Sequence, residues 1–273
     1  ELENEEETEE ETEEETEEET EEDLLRKLPL VKADPDQITE HMAQLRQWEN
    51  PTGSDGEMYC AEYIKTLMEE YGYTISEQTF HEGFLNADGV DAPGINIIAE
   101  RGANSQNRAS DIFIVCTHYD SKTAPEEGDP LSNDKSGTAA LLEAARILSE
   151  QETDIELCFL FLSGEEDGLY GSLRFIEALS EENKARISGV LYVELAGYDT
   201  EQPYVLKTED GLGNTISSRM HNIALDIDPA LMLLAENGEF YTVAEMAEME
   251  TETETETETE TETETEAETE AET

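Results

Sequence analysis

Residues 155–162, Ile-Glu-Leu-Cys-Phe-Leu-Phe-Leu, constrain the fold more than any other stretch of this chain. An unbroken apolar run of strand length sends large side chains out of both faces of a sheet, so both faces must be covered. Residues 95–99 and 112–116 repeat the pattern in shorter form, residues 189–195 add another strand, and residues 230–235 form a last one. The segments between them carry the helical period. Residues 137–148 place Ala140, Leu141, Ala144, Ala145 and Leu148 on one side, and residues 170–179 and 215–225 follow suit. Strands separated by helices of this length predict an α/β fold of three layers, α/β/α, around a central, mostly parallel, mixed sheet.

Upstream, Ile38, Met42, Leu45 and Trp48 recur at helical spacing, and Pro51-Thr52-Gly53 ends that helix. Ser54-Asp55-Gly56-Glu57 reads as a capping box opening a second helix. Its inward face is expected to be Tyr59, Tyr63, Leu67 and Tyr71, with Gly72 as the stop. Residues 73–80 alternate as a strand does.

Charge divides the chain into three parts. It carries 71 acidic against 15 basic residues, a formal charge of −56. Residues 1–23 hold 17 acids in a Glu-Glu-Glu-Thr beat, and residues 245–273 hold 14 in a Thr-Glu alternation. Such blocks repel themselves and have nothing apolar to bury, so both read as disordered acidic tails. Residues 24–244 remain as one α/β domain, itself at −25. Nucleic acid and anionic membranes would repel a surface of this sign. No apolar run approaches the ~20 residues that span a bilayer. No basic-then-apolar leader opens the sequence, the first apolar pair being Leu24-Leu25. Cys60, Cys116 and Cys158 form no disulfide framework, and the last two fall inside strand-like runs as small buried hydrophobes.

Chemistry gathers where the apolar runs stop. His118 lies just past 112–116, Glu165 and Glu166 just past 155–162, and Glu194 near the end of 189–195. Asp134 precedes a helix start, where it serves equally well as an N-cap. Open α/β sheets collect ligands beyond the carboxyl ends of their strands, and His nitrogen with Asp or Glu oxygen is the donor set of zinc. Asp120, two residues after His118, faces the same way and is placed to hold its imidazole. A carboxylate at Glu194, ending an apolar strand, is costly unless paired or metal-bound.

The segments His118-Tyr119-Asp120-Ser121, Asn133-Asp134-Lys135-Ser136-Gly137 and Gly164-Glu165-Glu166-Asp167-Gly168-Leu169-Tyr170-Gly171-Ser172 closely resemble the two-zinc aminopeptidase family, which includes bacterial leucyl aminopeptidases and the related glutaminyl cyclases. Gly53-Ser54 with its helix and Asn96-Ile97-Ile98-Ala99 look similar too, so the resemblance covers residues 37–235. It implies two zinc ions, a peptide substrate and a secreted or periplasmic setting. It implies that His118 binds one zinc, Asp134 bridges both, Glu166 binds the second, Glu165 is the general base, and Asp120 orients His118. Two cations about 3.5–4 Å apart acidify a shared water and polarise a carbonyl.

The chain departs from the family at two points. Glu194 stands where the family has an aspartate, which moves its carboxylate by a methylene. The family's last ligand is a histidine near the C-terminus, whereas no histidine follows His221, which falls in the 215–225 helix; His41 and His81 precede the sheet. The second zinc is therefore expected to be the weaker one. Three readings compete: a zinc aminopeptidase, a catalytically inactive relative that binds metal or a partner, and a glutaminyl-cyclase-like acyltransferase. The loop Glu126-Glu127-Gly128-Asp129 lacks the ligand spacing of an EF-hand, and no Gly-x-Ser-x-Gly elbow supports a serine hydrolase. The sequence leaves substrate preference and oligomeric state open.

Overall fold

The computed structural model describes residues 31–102, 111–122, 135–194 and 196, together with the backbone of three short strands beyond. By contacts the chain divides into two compact units, Glu1–Ala196 and Gly197–Thr273.

The first unit begins with two helices, α1 (Pro35–Leu45) and α2 (Asp55–Glu70). Asp34 caps α1 by accepting from Asp36 N–H, and Ser54 caps α2 by accepting from Glu57 N–H. Past α2, Gly72 turns the chain at φ +86°, a conformation open to glycine at no steric cost. The inward face of α2 differs from the one expected. Cys60, Ala61, Ile64 and Met68 are buried, whereas Tyr59 is 52% exposed and stacks on Trp48 at 5.5 Å. Tyr63, Leu67 and Tyr71 pack only at the margin of the core. Aromatic rings keep their polar ends wet at an edge, so the smaller, fully apolar side chains take the interior.

The sheet comprises β1 (Thr74–Phe80), β2 (Gly94–Arg101), β3 (Ile112–His118), β4 (Glu156–Leu162) and β5 (Ile187–Tyr192), in the order β1-β2-β4-β3-β5. The strand read as most constraining, β4, lies at the centre, parallel to β3 and antiparallel to β2. β5 runs parallel to β3 and β1 antiparallel to β2, which makes the sheet mixed with a parallel half. That half aims the ends of β3, β4 and β5 the same way. β5 stops at Tyr192, two residues short of Glu194.

Helix α3 (Ser136–Ser149) joins β3 to β4. Its N-cap position is Lys135, which makes no capping bond with its side chain; Asp134 lies outside the described residues. Ala139 and Leu142 are buried along with the expected Leu141 and Ala145, whereas Ala140, Ala144 and Leu148 are only half-buried, so the buried stripe is turned round the helix from the expected one. Helices α4 (Tyr170–Ala178) and α5 (Glu181–Arg186) follow β4; α5, a short turn capped by Ser180, carries no apolar stripe and was not expected.

Two clusters fill the layers. On one face, Ile64 and Met68 of α2, Leu141 and Leu142 of α3, and Ile97, Val115, Phe159 and Phe161 of the sheet pack together. On the other, Ile114, Cys116, Cys158, Leu160 and Leu162 meet Phe175 of α4. A sheet between two helical layers is the three-layer architecture expected. All three cysteines are buried free thiols. Among the described residues no helix is long and apolar enough to cross a membrane.

The second unit holds a small sheet of β6 (Val205–Leu206), β7 (Met232–Leu234) and β8 (Phe240–Thr242), in that order. β7 matches the strand expected at 230–235, while the helix expected at 215–225, with His221, lies outside the described residues.

Candidate metal centre

His118 ends β3, buried to all but 7% of its surface. Its backbone carbonyl accepts from Thr138 Oγ1 at 2.8 Å, which ties the strand end to the first turn of α3. The next residues are held from several sides. Asn50 Nδ2 and Lys135 Nζ both donate to Tyr119 O, and Ser121 N–H donates to Asn50 O at 3.1 Å. Lys135 is wholly buried, and its ammonium also reaches Asp120 O at 3.3 Å. A buried cation needs such carbonyl partners. Here they make the His118-Tyr119-Asp120 turn a fixed platform.

The imidazole spans two carboxylate environments. Its Nδ1 lies 3.4 Å from Asp120 Oδ1, with the two atoms out of hydrogen-bond alignment, so each is a buried polar atom left unsatisfied. Its Nε2 lies 3.9 Å from both Glu166 Oε1 and Glu194 Oε1. Asp120 uses its other oxygen to accept Glu166 N–H at 3.1 Å, so one carboxylate touches both the histidine and the glutamate loop. Burial opposes the charged imidazole, but the adjoining Asp120 carboxylate and then Glu166 outweigh it, and the His118 pKa is raised.

Glu165 and Glu166 follow β4 on a tight turn. Gly164 takes φ +70° and Leu169 φ +59°, the latter rare for a side-chain-bearing residue. The Glu165 carboxylate accepts from Ser172 N–H at 2.6 Å and from Ser172 Oγ at 3.1 Å. Burial raises the Glu165 pKa against those two bonds. The Glu166 pKa also rises, through burial first, with Asp120 and Glu194 adding repulsion. Glu194 is less enclosed than a strand-end position implied: its side chain is 48% exposed, because β5 has already ended. His118, Glu165, Glu166 and Glu194 line one cleft of about 580 Å³, continued by Leu160, Leu162, Ile176, Val190 and Tyr192.

Three of the four expected ligands thus share one rim, and the fourth, Asp134, lies outside the described residues. The structure brings Asp120 to His118 and Glu165 beside the cluster. His81 is exposed and pairs with Asp91 instead, while His41 is buried between α1 and α2 against Tyr63. Among the described residues no three His, Cys, Asp or Glu groups are already spaced to hold an ion. The separations explain this: tetrahedral zinc with bonds of about 2.0–2.2 Å brings ligand atoms to about 3.3–3.5 Å of one another, a few tenths closer than 3.9 Å. The donor set fits. Nε2 faces two carboxylates that repel each other, and a dication between them would reverse that repulsion.

The sequence did not single out Lys135, Asn50, Asn96, Ser163 or Ser172 as parts of the site. Asn96 and Ser172 stand inside the family-like segments, and a polar residue within an apolar strand run was the available signal for Asn96.

A mixed α/β sheet whose parallel strand ends present a histidine and glutamates around one cleft is of the class that gathers ligands beyond its strand ends. The chain belongs to peptidase family M28, whose model matches residues 96–242. It is 32% identical to aminopeptidase YwaD of Bacillus subtilis (strain 168) over 47% of this chain and 28% of that protein. It is 28% identical to a probable zinc metalloprotease of Pyrenophora tritici-repentis over 57% of this chain and 31% of that one. The chain therefore spans about a third of the length of the curated relatives it matches. Its fold is similar to that of BSAP, a zinc aminopeptidase from Bacillus subtilis, with a TM-score of 0.62 at 17% identity, covering 73% of this chain and 79% of that structure.

Proposed function

We propose that this chain is a zinc-dependent aminopeptidase that removes N-terminal residues from peptides. The observation that carries the reading is the approach of His118 Nε2 to Glu166 and Glu194 at the mouth of a cleft, with Glu165 fixed beside them. His118, Glu166 and Glu194 would hold zinc with Asp134, and Asp120 would set the imidazole so that Nε2 faces the ion. Zinc, when bound, supplies an acidified water and polarises the scissile carbonyl. Glu165 is the general base: Ser172 occupies one acceptor site on each of its oxygens, which leaves the others to take a proton and pass it to the leaving amine. Burial moves its pKa toward neutrality, where a carboxylate accepts a proton more readily. The apolar cleft wall of Ile176, Val190 and Tyr192 favours substrates with an apolar first side chain.

His118 and Glu194 would hold one ion, and Asp134 with Glu166 would hold a second. The decisive experiment combines elemental analysis with hydrolysis of aminoacyl anilides. The expected result is bound zinc, turnover abolished by a chelator, and loss of about 10³-fold or more in kcat for Glu165→Gln with zinc retained. Zinc-loaded protein that hydrolyses no anilide at any pH would leave the metal-binding reading without catalysis.

A further inference from the structure

Behind the site, on the side away from the cleft, the core holds a carboxylate that the proposed chemistry does not use. Glu57 is 1% exposed, at the third position of α2. A capping box would send it back to the N–H of Ser54, but Ser54 N–H is already taken by Pro51 O. Glu57 reaches further. One oxygen accepts Gly53 N–H at 2.5 Å, and the other accepts the hydroxyl of Ser163, more than a hundred residues away in sequence.

Ser163 is the first residue past β4 and stands two before Glu165. Its N–H donates to Asn96 Oδ1 at 3.1 Å, and Asn96 Nδ2 donates to Gly171 O at 2.8 Å. Asn96 thus clasps both ends of the 163–171 turn, and Glu57 fixes the first end from the α2 side. The fit admits no slack. A Cβ on Gly171 would collide with Ser163 O and Asn96 Oδ1, which any side chain longer than glycine's requires to move. Of the buried carboxylates, Glu143 closes the α1–α3 seam onto Arg146 and Asp34 N–H, and needs no further role. Asp120 meets the same turn from the His118 side, through Glu166 N–H, whereas Glu57 holds its first residue from the α2 side.

We infer that Glu57 is a positioning residue which, through the Ser163 hydroxyl, fixes the 163–171 turn and so aims the Glu165 carboxylate. The inference rests on the aminopeptidase reading for its catalytic readout. Position rather than charge carries the effect, because a glutamine at 57 preserves the link: its oxygen accepts Gly53 N–H and its amide donates to Ser163 Oγ.

The test compares Glu57→Ala, Glu57→Gln and Ser163→Ala, alone and as the Glu57→Ala/Ser163→Ala pair, in the full zinc-loaded chain. A displacement of the base by about 1 Å costs of the order of 10²-fold. Glu57→Ala is therefore expected to lose about 10- to 100-fold in kcat with KM within about twofold, the pair to be no worse than the worse single variant, and Glu57→Gln to stay within about threefold of the parent. If Glu57→Ala does not fold, Ser163→Ala, which removes one oxygen, decides the matter. Unchanged kcat in the alanine variants, or Glu57→Gln as impaired as Glu57→Ala, overturns the inference. If the parent itself turns over no anilide, the aminopeptidase reading fails separately, and amide hydrogen exchange over residues 163–172 becomes the arbiter. Exchange faster there in Glu57→Ala but not in Glu57→Gln supports the positioning role, and unaltered or chain-wide change removes it.

Discussion

At Glu57 a carboxyl is kept almost wholly out of water, and burial pushes its pKa up to about 7 against the bonds from Ser163 and Gly53. Asp120 adds repulsion, while the Tyr119 hydroxyl on the same side favours the charged form. The folded state thus binds a proton that the unfolded chain, with a carboxyl near 4.5, releases earlier. Stability then falls as pH rises from about 4.5 to about 7 and levels off above that. The amount from this one group is at most a little over ~3 kcal/mol, at 1.36 kcal/mol per pKa unit over the rise from 4.5 to about 7. Denaturant titrations of the parent and Glu57→Gln across pH 4.5–8 should show the gap between them widening in favour of the glutamine as pH rises. A constant gap would mean that Glu57 does not titrate in this window. The sequence marked Glu57 as a capping residue from the Ser-x-x-Glu spacing, which was right for Ser54 and silent about Ser163. No local pattern announces a partner over a hundred residues away.

For the helices and strands, the sequence was clearest where period and burial agree. The boundaries of β4 and α4 follow from an apolar run and the helical pattern after it. α2 shows where periodicity misleads. Tyr59, Tyr63, Leu67 and Tyr71 lie on one stripe, and Cys60, Ile64 and Met68 lie on the next, about one residue round the helix. Both have the period, and only the neighbouring sheet decides between them. Ile64→Ala is expected to cost about 2–4 kcal/mol, because a wholly buried side chain leaves a cavity. Tyr59→Ala should cost less than about 1 kcal/mol, since only its stacking on Trp48 is lost. Thermal melts of the two variants distinguish the stripes, and the reverse order would restore the aromatic face as the core. Strand direction was also beyond local reading: β2 and β4 have similar apolar runs, yet pair antiparallel, because only residues 102–111 separate β2 from β3, too few for a helical crossover, and β4 then runs parallel to β3.

Across the whole molecule a formal charge of −56 bears on every cation measurement. Any salt screens self-repulsion and raises stability somewhat, so a metal effect must exceed that background. Zinc at a hundred times its dissociation constant should stabilise the folded chain by about 2.7 kcal/mol over magnesium at equal ionic strength, through binding to the native state. His118→Ala should abolish the difference while leaving the magnesium response intact. Equal shifts with both ions in a differential scan would reduce the cluster to generic acidic attraction. What the sequence determined by itself was the layered α/β class, the strand buried on both faces at 155–162, and the presence of His118, Asp120 and Glu165-Glu166 where apolar runs end. Those follow from short-range rules: an apolar run of strand length must be covered on both faces, and polar groups must sit where it stops. Tertiary structure decided which stripe of α2 faces inward, that β5 ends early and leaves Glu194 half exposed, and that Lys135, Asn50, Asn96 and Glu57 brace the site. Each of those depends on which distant segments meet at the sheet, and close packing fixes that only when the whole chain has folded.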